Sequence, residues 1–387
     1  MAASKKFIIG LTGNIATGKS VVRKMLEHLG AYGIDADALA HRVIAKDAPG
    51  YQPVVNQFGK FVLDSEGWVD RSKLGKLVFS DAAALTKLEN IVHPYVGKAV
   101  DHLVKITPHD VVVVEAIKLL ESPLRDKVDT IWVSTSSEEN QIKRLVEKRG
   151  MSEDEARQRM AHQSPQKEKV SAASVIIRND GSFEETWDQV QEAWIYLFPD
   201  ASTVDTVEIP AVPKPLEPSV DLSGADLKVV RAKPGQAEDI ANLVNRLSGD
   251  KTNLTRMDIM AAFGEKAYTL LVAGEQMIGA VGWQVENLVA RIDEVHLENG
   301  LNLAEALKVL LVEIEEASRQ LMVEAVLVFV EPGVVQRNVT WSSLGYKPRS
   351  IDELRVNAWK EAARESWVDG TDMLFKQLRV ERVMRPI

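Results

Sequence analysis

Residues Phe7-Ile-Ile-Gly-Leu-Thr12 and Gly13-Asn-Ile-Ala-Thr-Gly-Lys-Ser20 decide the fold of the first part of this 387-residue chain. The first stretch is a short β-rich run, and the second fits the pattern G-x-x-x-x-G-K-[ST]. The residues that follow, Val21-Val-Arg-Lys-Met-Leu26, have helical periodicity. A phosphate-binding loop requires a strand before it and a helix after it, so the sequence predicts such a loop here.

The residue types at positions 13–20 suit the phosphates of a nucleotide. Gly13 and Gly18 permit turns that direct backbone N–H groups toward phosphate oxygens, and the following helix adds the positive end of its dipole. Lys19 supplies a charge for the β- and γ-phosphates, and the Ser20 hydroxyl is suited to ligating Mg²⁺. The structural alternative is a glycine-rich surface turn. The remaining loop positions are Asn14, Ile15, Ala16 and Thr17.

Strands and helices alternate along the first half of the chain, which predicts an α/β fold with a parallel sheet. The four valines Val111–Val114 are typical of a strand buried on both faces. Residues 49–104 contain helical patterns without a clear strand, and we interpret them as a helical insertion on the ligand-binding face. The other predicted strands are Phe7–Thr12, Tyr32–Ile34, Thr130–Ser134 and Ser174–Ile177, and helices are predicted at Gly18–Leu29, Glu138–Arg149 and Ser182–Tyr196.

A proline-rich stretch separates the two halves. Residues 199–226 hold Pro199, Pro210, Pro213, Pro215 and Pro218, out of 15 prolines in the chain, which favours an extended linker. The sequence therefore predicts a first domain at 1–198 and a second at 227–387. In the second, a helix precedes three strands in an antiparallel meander, and an α+β domain is expected. Its predicted elements are Gln236–Leu247, Tyr268–Ala273, Met277–Val285, Ala290–Leu297, Leu303–Gln320, Ala325–Val330, a helix near Val335–Leu344 and a strand near Met373–Leu378.

Composition excludes several classes of protein. The 47 basic and 56 acidic side chains give a net charge of −9, which argues against a general nucleic-acid binder. The absence of cysteine excludes disulfides, thiolate metal sites and cysteine nucleophiles. No stretch of membrane-spanning length lacks charges, and the start does not resemble a secretion signal. We therefore expect a cytoplasmic protein without a membrane partner.

Asp35 and Asp37 form a second candidate site, at the end of the second predicted strand. Ligands of open parallel sheets bind beyond the carboxyl ends of the strands, so both carboxylates are expected near the phosphate loop. One could accept the proton of an attacking hydroxyl group or hold that hydroxyl in line for transfer. The structural alternative is a helix N-cap, a role for which Asp is well suited. Both roles can hold, with one Asp capping and the other acting.

With these motifs in place, residues 6–198 resemble the dephospho-CoA kinase family. The phosphate loop and the Asp pair look like that family's own, and further ordered stretches look like its acceptor-binding region, its lid and its adenine-binding segment. The corresponding stretches are Ile9–Ser20, Ile34–Arg42, Pro49–Tyr51, Asp70–Phe79, His93–Pro94, Arg144–Ser152, Ala156–Gln163 and Asn179–Ser182.

The resemblance implies transfer of the ATP γ-phosphate to the ribose 3′-hydroxyl of dephospho-CoA, which gives CoA and ADP. Residues Gly13–Ser20 would hold ATP, with Ser20 ligating the accompanying Mg²⁺. Asp37, with Asp35, would orient and deprotonate the 3′-hydroxyl. His93 could contact the acceptor, and the structural alternative is a histidine whose hydrogen bonds are satisfied within the fold. The transition state of such a reaction is loose and mainly needs positioning and charge stabilisation.

The resemblance also assigns residues outside the loop and the Asp pair. Arg144 and Arg159 would close over the phosphates with the lid, and Arg144 would act together with Lys19 in stabilising the transferred charge. Asn179 and Gly181 would lie near the adenine. The structural alternative for both arginines is an ion pair on a solvated helix surface.

The chain departs from the usual family pattern at several positions. Asn14 and Ala16 stand where the family loop usually has glycine, while the defining loop residues are kept. The third strand ends in Glu115, which could replace an acidic group near the metal. Lys118, three residues later, is an unusual charge. These departures bear on the rate and on the metal geometry.

The second domain resembles a GNAT-type acetyltransferase fold in the stretches Val230–Ile240, Gly274–Gly282 and Ser343–Tyr346. Its expected pyrophosphate-binding loop reads Glu298-Asn-Gly-Leu-Asn-Leu-Ala304, with an acidic residue and a single glycine, which disfavours phosphate binding. Glu294 could be nominated as a base, but it also sits in an ordinary alternating strand. A non-catalytic domain with an acyl-CoA or protein ligand is therefore predicted.

Three hypotheses follow. The first is a dephospho-CoA kinase with a GNAT-like domain that lacks activity. The second is a regulator whose kinase half binds nucleotide without turnover and whose second domain senses acyl-CoA or a protein. The third is a bifunctional kinase and N-acyltransferase. Intact Lys19 and Asp37 favour the first, and residues 298–304 disfavour the third.

Overall fold

The computed structural model describes residues 5–199, 227–248, 252–274, 276–286, 288–330, 332 and 338–379. The chain forms two compact units, which divide near residue 193. No helix within the described ranges is both long and apolar enough to cross a membrane. Beyond Pro199, the predicted linker lies outside the described residues, so the domain boundaries stay a prediction.

A parallel sheet forms the centre of the first unit, as the sequence predicts. Its strands are β1 Phe7–Thr12, β2 Tyr32–Asp35, β3 Val111–Glu115, β4 Thr130–Thr135 and β5 Val175–Arg178. They lie in the order β2-β3-β1-β4-β5, and each neighbouring pair is parallel. Val112, Val113 and Val114 are buried, because β3 has a strand on either side and helices over its faces.

The helices of the first unit follow the predicted alternation. Between β2 and β3 the chain forms four α-helices and one 3-10 turn joined by loops, with one isolated bridge from Leu63 to Val69, so the predicted helical insertion is confirmed. The helices are α1 Lys19–His28, α2 Ala36–Val43, α3 Tyr51–Phe58, α4 Arg71–Ser80, α5 Ala82–Ile106, α6 Glu138–Arg149, α7 Glu153–Ala161, α8 Gln166–Ser171 and α9 Phe183–Leu197, with 3-10 turns at Lys60–Val62 and Pro123–Lys127.

The parallel register brings the ends of three strands together. Leu11 of β1 pairs with Glu115 of β3, and Asp35 of β2 pairs with the same Glu115. The loop after β1 leads directly into α1. The phosphate loop, Asp35 and Glu115 therefore lie at one edge of the sheet, where ligands of parallel sheets bind.

The second unit contains a seven-stranded mixed sheet, which confirms the predicted α+β architecture. Its strands are β6 Leu227–Arg231, β7 Ala267–Ala273, β8 Gln276–Glu286, β9 Val289–Leu297, β10 Ala325–Val330, β11 Lys347–Pro348 and β12 Asp372–Gln377. The order is β11-β12-β10-β9-β8-β7-β6. The predicted meander is β7, β8 and β9, while β9 and β10 are the parallel pair.

The helices of the second unit cover this sheet. Leu307, Leu310 and Ile314 of the longest helix pack into the main core with strand residues such as Val326 and Val328. A second core forms around Trp359 and Phe329. The helices are α10 Ala237–Leu247, α11 Arg256–Phe263, α12 Leu303–Gln320, α13 Asn338–Ser343 and α14 Asn357–Glu365, with a 3-10 turn at Pro234–Gln236.

Candidate active site

The backbone of the phosphate loop adopts conformations that explain its glycines. Gly18 has φ +89°, and a Cβ there would lie 1.8 Å from Nδ2 of Asn179. A Cβ at Gly13 would lie 2.4 Å from the carbonyl oxygen of Ser134. Both glycines are therefore required by close approach as well as by backbone freedom. Ala16 also has a left-handed conformation, at φ 59°, which a non-glycine residue adopts at a cost.

Lys19 and Ser20 begin α1 and are held by groups of the loop and of β3. Lys19 is 6% exposed, and its Nζ donates to the carbonyl oxygen of Asn14 at 3.1 Å. The Ser20 hydroxyl donates to Oε1 of Glu115 at 2.9 Å, and Oε2 of Glu115 accepts from Nε of Arg23 at 2.8 Å. The Ser20 proton thus points toward Glu115, and the lone pairs of its oxygen remain available to a cation.

Asp35 and Asp37 have different roles in the local structure. Asp35 is the N-cap of α2 and accepts from the N–H of Ala38 at 2.8 Å. Asp37, in the first turn, accepts from the N–H of Ile117 at 3.1 Å. Burial, and then the negative charge of Asp35, raise the pKa of Asp37 to about 6, although the Ile117 N–H and the charge of Lys19 oppose this. Asp37 is therefore the carboxylate whose proton affinity suits acid–base chemistry near neutral pH.

Arg144 of α6 spans the phosphate loop and the segment after β5. Its guanidinium donates to the carbonyl oxygen of Ala16 at 3.0 Å and to that of Asn179 at 2.7 Å. Asn179 is buried, and its Nδ2 donates to the carbonyl oxygen of Thr17 at 3.1 Å. Thr17 also accepts from the Ser134 hydroxyl at 2.6 Å. The predicted Arg144 and Asn179 are thus brought to the loop, and the alternative of a solvated ion pair does not describe Arg144.

Residues 163–169, which include the first four residues of α8, contact the phosphate loop. Oε1 of Gln166 accepts from the N–H of Asn14 at 3.1 Å, and Oε1 of Gln163 accepts from the N–H of Ile15 at 2.7 Å. Nζ of Lys169 donates to Oδ1 of Asn14 at 2.8 Å. The Asn14 side chain also donates to the carbonyl oxygen of Ser164 at 3.3 Å. This segment therefore holds the first half of the loop by side-chain contacts.

Arg159 and Gly181, the two other predicted nucleotide-binding residues, lie beside acidic side chains of their own segments. Arg159 forms an ion pair with Glu155 on α7 at 2.8 Å, and its side chain is 52% exposed, which matches the surface alternative stated for it. Gly181 lies beside Glu185, whose Oε2 would be 1.5 Å from an added Cβ, so the Glu185 side chain would have to move to admit one. The nucleotide roles of both residues stay predictions.

Comparison with known proteins identifies the first unit. Residues 7–185 match the family model described as dephospho-CoA kinase. A dephospho-CoA kinase from Carboxydothermus hydrogenoformans is 44% identical over 186 residues, which cover 47% of this chain and 90% of that protein. The chain belongs to the dephospho-CoA kinase family. It is accordingly a kinase of a family that uses ATP, and the family match covers about half of its length.

Solved structures resemble the two halves of this family member separately. A dephospho-CoA kinase from Campylobacter jejuni is 25% identical, with a TM-score of 0.39, and the match covers 50% of this chain and 98% of that one. A GNAT-family acetyltransferase from Staphylococcus aureus is 11% identical, with a TM-score of 0.32, and the match covers 40% of this chain and 100% of that one.

Two acidic residues singled out in the second unit are engaged with basic side chains. Glu294 of β9 accepts from Nζ of Lys266 at 2.8 Å and from the Tyr268 hydroxyl at 3.0 Å. Glu298 forms an ion pair with Arg246. The nominated base Glu294 and the acidic residue of the expected pyrophosphate-binding loop, Glu298, are thus both engaged by protein groups. The role of this unit stays a prediction.

Sequence reasoning missed the part played by residues after the predicted lid. Gln163 was placed at the end of a lid stretch, but Gln166 and Lys169 were not assigned a role. The spacing of three residues between Gln166 and Lys169 was the available signal, because residues three apart share a helix face. Since α8 is only six residues long, the signal is weak without the structure.

Proposed function

We propose that this chain transfers the γ-phosphate of ATP to the ribose 3′-hydroxyl of dephospho-CoA, which gives CoA and ADP. The observation that carries the proposal is Asp37, a carboxylate of raised pKa that accepts from the N–H of Ile117 at the sheet edge that holds the phosphate loop. The identity of 44% to a named dephospho-CoA kinase supports the choice of acceptor. We propose this activity for the first unit.

The chain's own groups divide the work of the reaction. Asp37 orients the acceptor hydroxyl and takes its proton as the oxygen attacks the γ-phosphorus. Lys19 and the loop amides hold the β- and γ-phosphates and favour the charge that develops on the leaving oxygen. Arg144, already seated between Ala16 and Asn179, is placed to reinforce the loop when the nucleotide binds. These residues also hold the acceptor hydroxyl and the γ-phosphoryl group in position for transfer, and positioning is what a loose transition state mainly requires.

The residues at the start of α1 fit a Mg²⁺ ion that arrives with ATP. The hydroxyl of Ser20 keeps its lone pairs free for a cation because its proton is donated to Glu115. When bound, such an ion would supply positive charge that neutralises the phosphates. Ser20 would ligate it, with Glu115 setting the orientation of that hydroxyl.

An acceptor comparison tests the proposed function. ADP release is measured for the full chain with ATP and Mg²⁺, using dephospho-CoA as acceptor and adenosine and shikimate as control acceptors. We expect release with dephospho-CoA to exceed both controls. Background release with dephospho-CoA would favour the hypothesis of a nucleotide-binding regulator without turnover.

The pKa of Asp37 predicts a pH dependence. A general base must be deprotonated, and the folded-state pKa is raised to about 6, so kcat/KM for the acceptor should rise with pH through about 6. Asp35→Asn removes the nearby negative charge and keeps a good N-cap residue, so the rise should move to lower pH. The measurement is kcat/KM for dephospho-CoA between pH 5 and 8 at saturating ATP.

A matched control separates this effect from capping. Asp81 is the N-cap of α5 and accepts from the N–H of Ala83, so Asp81→Asn makes the same change away from the site. This variant should keep the wild-type profile. If the Asp35→Asn profile also coincides with the wild type, the coupling between the two carboxylates is not what sets the activity.

A further inference from the structure

Lys169 is a buried cation that the family assignment does not explain. It lies on α8 with 1% of its surface exposed, and its Nζ donates to Oδ1 of Asn14 at 2.8 Å. The carbonyl oxygen of the same Asn14 accepts from Nζ of Lys19 at 3.1 Å. Asn14 of the phosphate loop therefore accepts hydrogen bonds from two ammonium groups, and the charge of Lys19 is near enough to lower the pKa of Lys169.

The charge of Lys169 is not neutralised by a neighbour in contact. Among the residues that the structure describes, no carboxylate oxygen lies within 4.0 Å of its Nζ. An ammonium group has three donors, and the described residues offer one acceptor, Oδ1 of Asn14. Burial lowers the pKa of Lys169, while Glu121 and Asp37 act to raise it and Lys19 to lower it. A buried cation without a paired anion is costly, so an anionic ligand at this point would be stabilising.

The loop amides nearest to Lys169 are already engaged by protein groups. Gln166 accepts from the N–H of Asn14, and Gln163 accepts from the N–H of Ile15. These two N–H groups are therefore not offered to a phosphate in this arrangement. An anion bound close to Asn14 would therefore interact with the ammonium groups of Lys19 and Lys169 and not with these two N–H groups.

We propose that Lys169 binds the γ-phosphoryl group of ATP together with Lys19, with Asn14 positioning both ammonium groups. This inference rests on the proposed kinase function, which it deepens by adding a phosphate-binding residue. On binding ATP, Lys169 exchanges the neutral oxygen of Asn14 for a charged phosphate oxygen, which is the stronger partner. ADP lacks the γ-phosphoryl group, so Lys169 distinguishes the two nucleotides.

The test compares the affinities of ATP and ADP, by titration calorimetry with Mg²⁺ and without acceptor. Lys169→Met should weaken ATP binding by roughly 10- to 100-fold, as expected for loss of a charged hydrogen bond, and leave ADP binding within about twofold. Lys167→Met is the matched control, since Lys167 is exposed on the same helix, and it should bind both nucleotides as the wild type does. Equal losses for ATP and ADP, or unchanged ATP affinity, would overturn the proposal.

A purely structural role for Lys169 makes a different prediction. Asn14→Ala removes the same hydrogen bond but keeps the ammonium group, so it should preserve the preference for ATP over ADP. If Asn14→Ala and Lys169→Met lose that preference equally, Lys169 acts only by holding Asn14, and the proposal is wrong. Lys169→Arg, which keeps the charge, serves if the Met variant does not fold, and it should retain more of the ATP preference than Lys169→Gln.

These titrations are independent of the acceptor. Wild-type enzyme that prefers ATP through Lys169 but shows no turnover with dephospho-CoA would contradict the proposed function and support the role of Lys169. Turnover with dephospho-CoA and no nucleotide discrimination by Lys169 would support the proposed function and contradict this inference.

Discussion

Replacing Asp37 by Asn is expected to lower kcat by about 10²–10⁴-fold, the contribution typical of a general base. The change is isosteric, and the Asn oxygen can still accept from the N–H of Ile117, so local structure should be kept. What is lost is the proton acceptor for the attacking hydroxyl. Steady-state kinetics with dephospho-CoA, together with a thermal melt, give the rate and confirm the fold.

The control for this variant removes a carboxylate elsewhere in the same unit. Asp101 pairs with Lys127 on the surface, so Asp101→Asn should change stability little and leave kcat unchanged. A near wild-type kcat for Asp37→Asn would show that the reaction proceeds without this base. In that case the acceptor would be held elsewhere.

Replacing Lys19 by Ala is expected to lower kcat/KM for ATP by about 10²–10³-fold, the scale seen when a preorganised charge stabiliser is removed. The ammonium group is buried at the loop, where the reduced screening strengthens its interaction with phosphate. Loss of this group should weaken both nucleotide binding and transfer. Initial rates over a range of ATP concentrations separate the two effects.

Lys105→Ala provides the comparison, because Lys105 is an exposed lysine in the last turn of α5. It should react at the wild-type rate. If Lys19→Ala keeps wild-type kcat/KM for ATP, the phosphate loop does not bind the nucleotide in the way its sequence indicates.

Much of the first unit is predictable because its signals are local. The run of valines in β3 reports burial on both faces, and the glycines of the loop report backbone conformations that few other residues adopt. The alternative roles of Asp35 and Asp37 could not be separated by sequence, because Asp is suited to both. Their distinction depends on which carboxylate accepts from the N–H of Ala38 and which has the raised pKa.

The parts that escaped prediction depend on contacts distant in sequence. Lys169 and Asn14 are 155 residues apart, and nothing in the local pattern around Lys169 indicates a buried side chain. In the second unit, β6, α11 and α14 were not predicted. The strand β6 pairs with β7, and the paired residues are between 38 (Arg231 and Thr269) and 46 (Leu227 and Ala273) positions apart in the sequence. The sequence around β6 therefore does not indicate its partner strand.

The position of the new phosphate tests the central claim most directly. Full-length protein is incubated with ATP, Mg²⁺ and dephospho-CoA, and the product is analysed by ³¹P NMR and compared with authentic CoA. We predict a phosphomonoester on the ribose 3′-hydroxyl, formed in equal amount with ADP. Phosphate on another hydroxyl, or ADP without a phosphorylated acceptor, would contradict the assignment of this chain as a dephospho-CoA 3′-kinase.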